Sequence, residues 1–173
     1  MGVPMGFENA LKKVLSVEGG FVDIPEDKGG PTNYGITMQT FEVHMGKYVT
    51  KEDLKNIPMN IVENIYRNLY WDRMRLDFVE YEPLAEAMFD QGVNRGVGQV
   101  SREIQRLVNV KDDGVVGSIT LGAINSMVGR NLLISFIKKA QLYYARIVQN
   151  EPNQGIFLVG WLKRTHKLFP EDL

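Results

Sequence analysis

The stretch Ser16–Thr37, "SVEGGFVDIPEDKGGPTNYGIT", decides how the chain is read. A helical pattern runs into it. Phe7, Ala10, Leu11, Val14 and Leu15 recur at i, i+3 and i+4, which predicts an amphipathic helix over 7–18. The pattern stops at Glu18-Gly19-Gly20, and residues 21–37 carry two Asp, one Glu, three Gly, two Pro and three hydroxyl-bearing side chains. That is loop chemistry. Short runs at Phe21–Val22 and Tyr34–Ile36 suit a small hairpin, and nothing supports a large sheet.

Beyond the loop the punctuation is helical. Thr37 is placed to cap "MQTFEVHM", with Gly46 just past its end, and Thr50 to cap "KEDLKNI" with Asp53 three residues on, as in a capping box. A helix is expected over 59–72, with Ile61, Ile65 and Leu69 on one stripe and Val62 and Tyr66 beside it. Another is expected over 83–95, with Pro83 in its first turn and Leu84, Met88 and Val93 facing inward. "RGVGQV" (95–100) is the candidate joint. A helix marked by Val100, Ile104, Leu107 and Val108 follows. "KDDGVVGSIT" is then a turn, with Ser118 as the expected cap of a short helix. The longest helix is expected over about 130–149, and a last one over 156–168. The fold class is mainly α.

Composition narrows the function classes. The chain has 173 residues, enough for one domain or one with a small appended half, and a formal net charge of -1, which advertises no nucleic-acid partner. Zero cysteines exclude disulfides, thiolate metal sites and a cysteine nucleophile. His44 and His166 are too isolated for a metal site, so neither metal nor cofactor is expected. No apolar run reaches the roughly 20 residues that span a bilayer, so no membrane insertion is expected. "MGVPMGFENALKK" lacks a basic stretch followed by an apolar one, so no Sec signal is expected.

Glu18 lies eleven positions after Phe7, seven after Leu11 and four after Val14, on the face that points inward. Burial and the negative end of the helix dipole both disfavour an ionised carboxylate there, and a general acid at neutral pH needs such a raised pKa. For one glutamate at a helix end, snorkelling to solvent is the commoner outcome. Its company changes the balance. Asp27 follows with eight residues between, and Thr32 follows Asp27 with four between. An acid, a second carboxylate and a hydroxyl on one loop are the groups needed to protonate a leaving oxygen and hold a water against a sugar. Taken singly, Asp27 also suits an Asx turn and Thr32 a backbone-bonding loop hydroxyl.

"EGGFVDIPEDKGGPTNYGIT" resembles the signature of glycoside hydrolase family 108, lysozyme-like N-acetylmuramidases of phages and bacteria. "YWDRMRLD" (70–77), "FDQGVNRG" (89–96) and "GWLKR" (160–164) are similar to that family too. "IQRLVNVKDDGVVGSITLGAI" (104–124) resembles its accompanying peptidoglycan-binding half. The resemblance implies a lysozyme-like helical fold with one small β-hairpin near the active-site loop. It implies a catalytic region over 1–95 and a helical peptidoglycan-binding region over 96–173 packed on it.

It also implies cleavage of the MurNAc–GlcNAc β-1,4 bond, with Glu18 as the acid and Asp27 and Thr32 positioning water. The alternative is a non-catalytic wall-binding or secretion-accessory protein. Around the site, Tyr34 and Gly35 follow the proposed triad, and Tyr70 and Trp71 offer an aromatic face or else belong to the core. Asp90 and Asn94, four apart, either hydrogen-bond a sugar or bond each other and the helix end. Lys163 and Arg164 are expected on a solvated face. The expected partner is the peptidoglycan glycan strand, met by a monomer that reaches the wall through holin-type or other release.

Overall fold

Phe7, Ala10, Leu11 and Val14, the first apolar stripe, are at most 4% exposed in the computed structural model, which describes residues 5–16, 19–23 and 30–170. Their helix, α1, spans Met5–Leu15; Glu8 lies in its first turn and Lys12 and Lys13 in its last, each suited to the dipole at its end. Ser16 Oγ donates to the Lys13 carbonyl at 2.6 Å, satisfying one of the free carbonyls of that last turn. Residues 17–18 of the expected helix lie outside the described residues.

The chain divides into two compact units, Met1–Trp71 and Asp72–Leu173. In the first, β1 (Thr32–Asn33) pairs antiparallel with β2 (Ile36–Thr37) in the register Thr32↔Thr37 and Asn33↔Ile36. Tyr34 and Gly35 form the turn with φ of 50° and 71°, the left-handed pair that matches strand twist in a tight hairpin. The hairpin is therefore centred on Tyr34-Gly35 rather than including Tyr34 in a strand. Val22 joins it only as an isolated bridge to Thr32.

Local capping signals work as written. Thr37 Oγ1 accepts from the Thr40 amide at 3.1 Å to start α2 (Met38–Met45), and Gly46, at φ 64°, ends it. Thr50 and Asp53 form a full capping box at the start of α3 (Lys51–Lys55). α4 (Met59–Tyr66) departs from expectation at its end, where it widens into a π turn over Arg67–Trp71. One extra residue per turn rotates the following side chains. Leu69, expected on the inward stripe, is 36% exposed, whereas Trp71 is 2% exposed.

The second unit starts with 3-10 turns at Asp72–Met74 and Leu76–Phe78 and is organised by α5 (Glu82–Arg95), with Pro83 in its first turn. Around α5 pack α6 (Val97–Leu107), α8 (Gly129–Asn150) and the second 3-10 turn. Contacts on several sides bury Leu84, Ala85 and residues 87–92, a broader surface than the expected stripe, while Val93 is only half-buried. Gly96, at φ 88° and ψ 140°, breaks the helix between α5 and α6. α7 (Ser118–Asn125) takes Gly117 as its N-cap with no side-chain cap, so Ser118 is the first helical residue instead of the cap. α9 (Gly155–His166) closes the unit against α8.

A buried glutamine shapes the turn before α7. Gln105, 1% exposed, donates to Asp113 Oδ1, the Val115 carbonyl and Thr120 Oγ1, and accepts from the Gly114 amide at 2.8 Å. The Val115 amide and the Gln105 side chain both donate to Asp113, and they hold its carboxyl below the usual value.

Candidate active site

The described part of the expected site is a hairpin anchored from three directions. Val22 and Thr32 exchange both backbone hydrogen bonds, at 2.8 and 2.9 Å. The bridge joins the two flanks of the segment carrying Asp27, and Thr32 is one of its ends. Thr32 is half-buried, with its main chain fixed by Val22 on one side and by β2 on the other. Tyr34 holds an unfavourable positive φ for a bulky residue, and Tyr66 Oη donates to its carbonyl at 2.7 Å. Asn33 supplies the third anchor. Its Nδ2 donates to the Leu54 and Lys55 carbonyls at 2.9 and 3.0 Å, tying β1 to the open C-terminal end of α3.

Asn33 is 4% exposed, and sequence reading passed over it. Asn next to a tight turn reads as turn chemistry, and its partners lie 21 and 22 positions away. Asn33→Ala is expected to lower unfolding stability by about 1–3 kcal/mol, the scale for buried acceptors left without their donor. Urea unfolding followed by circular dichroism measures this; a change within error would remove Asn33 as an anchor.

Glu18 and Asp27 lie outside the described residues. Gly35 is exposed at the turn and Tyr70 is half-buried in the π turn, its ring 5.5 Å from that of Tyr66. Trp71 is a correction. Its ring meets Phe7 edge-on at 5.4 Å and 68°, inside the core of the first unit, so it presents no face to a sugar.

Asp90 and Asn94 belong to a polar cluster of the second unit. Arg164 Nε donates to Asp90 Oδ1 and Oδ2 at 2.9 and 3.1 Å, and Gln91 Nε2 donates to Oδ2 at 2.9 Å. Arg164, expected on a solvated face, has a side chain only 14% exposed. Tyr144 Oη donates to Asn94 Oδ1, and the Trp161 ring stacks on Tyr144 at 4.9 Å and 18°. Asp90 and Asn94 are therefore bonded to side chains of the second unit rather than to each other. No feature of residues 89–96 signals Arg164, which is 74 positions from Asp90.

Burial pushes the Tyr144 hydroxyl up to about 12, against the lowering pull of Arg95 and Arg164. The raised value keeps it a neutral donor throughout the ordinary pH range. Protonation thus favours the folded form fully below the unfolded value near 10, and this contribution is lost as pH rises through about 12. Denaturant midpoints measured from pH 9 to 12 are expected to fall, and Tyr144→Phe to flatten that fall. An equally steep fall in the variant would assign it to other groups.

The comparisons with known proteins agree with this architecture. Residues 11–96 match the family described as glycosyl hydrolase 108, and residues 99–166 match the predicted peptidoglycan domain. Residues 11–96 thus belong to the glycosyl hydrolase 108 family. It is similar to the solved structure of Brucella abortus SagA, with 29% identity, 94% of this chain and 90% of that one covered, and a TM-score of 0.78. No curated protein matches it significantly. The fold is lysozyme-like and mainly α, and the chain is a glycosidase whose partner is peptidoglycan. The two family matches meet between 96 and 99, at the Gly96 break, whereas the compact units divide at Trp71 and Asp72.

Among the described residues no cluster of His, Cys, Asp or Glu has the arrangement of a metal site. Among them, too, no helix is long and apolar enough to cross a membrane.

Proposed function

We propose that the chain is an N-acetylmuramidase that cleaves the MurNAc–GlcNAc β-1,4 bond of peptidoglycan. Glu18 protonates the glycosidic oxygen. Asp27 and Thr32 hold a water against the anomeric carbon and stabilise the positive charge that develops there. The carrying observation is the glycosyl hydrolase 108 match over 11–96, the stretch that contains all three groups. The Val22–Thr32 bridge supports it by fixing the main chain at Thr32. Tyr34, Gly35 and Tyr70 are the sugar contacts in the first unit. Asp90 and Asn94 serve the same substrate chiefly by fixing their helix, since their oxygens already accept protein donors. Functionally, 1–95 is the catalytic region and 96–173 the wall-binding region.

A hydroxyl in place of a second nearby carboxylate favours direct attack by water, and therefore inversion at the anomeric carbon. The test is digestion of purified peptidoglycan by wild type and Glu18→Gln, with mass spectrometry of the new reducing ends. MurNAc at the new reducing end, absent with the variant, supports the reading. GlcNAc there would reassign the bond, and pelleting with sacculi without any new reducing end would make the protein a binder.

A further inference from the structure

The second unit contains a pocket of about 260 Å³ that the catalytic reading does not use. It lies where the chain enters α5 and where α7 hands over to α8, so it draws on both family-matched stretches. Its frame is fixed by the fold. Asn125 Nδ2 donates to the Phe78 carbonyl at 2.8 Å, and the Glu80 amide donates to Asn125 Oδ1 at 3.1 Å. On the other wall, a Cβ added at Gly129 would lie 2.5 Å from both Cβ and Cγ of Tyr81. The backbone of α8 thus backs directly onto that ring. Leu84 and Ile124 supply buried apolar lining.

The chemistry of the lining is one-sided. Among the described residues Glu80 is the only charged one in the lining, and no ion pair or hydrogen bond engages its carboxylate. The Tyr81 hydroxyl is likewise without a described partner, and Met127 adds a polarisable thioether. A carboxylate and an aromatic ring in one lining, with no Lys, Arg or His among its described residues, favour an ammonium group and disfavour anions. The volume is below the roughly 300 Å³ at which pockets for drug-sized ligands begin, so it suits one residue rather than an oligosaccharide.

Peptidoglycan offers N-acetylated sugars, carboxylates and, on the diamino acid of its stem peptide, a side-chain amine. We propose that this pocket binds that side-chain ammonium and so reads the peptide while the glycan is held elsewhere. The inference rests on peptidoglycan being the partner.

The test uses the full chain, labelled with nitrogen-15. It is titrated with a synthetic stem pentapeptide bearing a free diamino-acid amine, with the same peptide acetylated at that amine, and with the GlcNAc–MurNAc disaccharide. The free-amine peptide is expected to shift amides at 80–84 and 124–129. Acetylation, or Glu80→Gln with an otherwise unchanged spectrum, is expected to weaken binding by about tenfold or more, the scale of one charge-assisted contact. Equal binding of the two peptides, shifts confined to other residues, or the same shifts from the disaccharide would overturn the proposal.

Sacculus digestion by the same wild-type sample separates the two readings. Lysis without peptide binding removes the pocket and keeps the hydrolase; peptide binding without lysis does the reverse.

Discussion

Glu18→Gln is expected to slow release of reducing ends from purified peptidoglycan by about 10²- to 10⁴-fold, the range attributed to a positioned general acid. Glutamine matches the side chain in size but has no acidic proton to give to the departing sugar oxygen. Pelleting with sacculi and the denaturant midpoint are expected to stay at wild-type values, which separates loss of chemistry from loss of fold. Thr32 provides a graded control. Its main-chain bonds to Val22 involve no side-chain atom, so they persist when the side chain changes. Thr32→Ser keeps the hydroxyl and should keep most activity; Thr32→Val keeps the shape and loses the hydroxyl, and should fall with Asp27→Asn. Lysis by Glu18→Gln at the wild-type rate would end the assignment of Glu18 as the acid.

Arg95→Ala is expected to have the largest effect on stability, about 3–5 kcal/mol, because it strands a buried carboxylate. Arg95 Nη1 and Nη2 donate to Glu103 Oε2 and Oε1 at 3.0 and 2.9 Å across the Gly96 break. The Arg95 side chain is 1% exposed and that of Glu103 11%. The guanidinium also lies 5.7 Å from the Phe136 ring centre and 5.1 Å from that of Tyr143, so truncation removes packing as well as charge. Arg95 Nε is buried with no hydrogen-bond partner among the described residues, so the pair is not fully compensated there. The double variant Arg95→Met, Glu103→Leu is therefore expected to be more stable than Arg95→Ala, since it leaves no unpaired charge. Urea unfolding of the three proteins checks this; a loss below about 1 kcal/mol for Arg95→Ala would mean the pair behaves like a surface contact.

The legible parts of the molecule are those decided within a few residues. The stripe of α1 follows from spacing, and Thr37, Gly46 and the Thr50–Asp53 box act on amides and carbonyls only a turn away. The π turn at Arg67–Trp71 was not legible, because the apolar pattern is equally compatible with an α-helical continuation. Its consequence reaches the candidate site: it buries Trp71 and leaves the half-buried Tyr70 as the aromatic to test. The Asn33 clamp, the Asp90–Arg164 pair and the Gln105 clamp also escaped local reading. In each, a polar side chain meets a partner fixed by a different element, and nothing in its own neighbourhood names that partner.

The sequence by itself determined that the chain is mainly helical and where most helices start and stop. It also determined which loop unites an acid, a carboxylate and a hydroxyl, because periodicity, capping and motif spacing act over short chain distances. Only the tertiary structure decided that Thr32 is an end of the bridge to Val22 and that Asp90 belongs to an ion pair. It also decided that Glu80 and Tyr81 line a pocket with Asn125 and Gly129. Those outcomes depend on burial and on contacts between distant segments, where the cost of an unpaired buried polar group selects the partner only after the elements have packed.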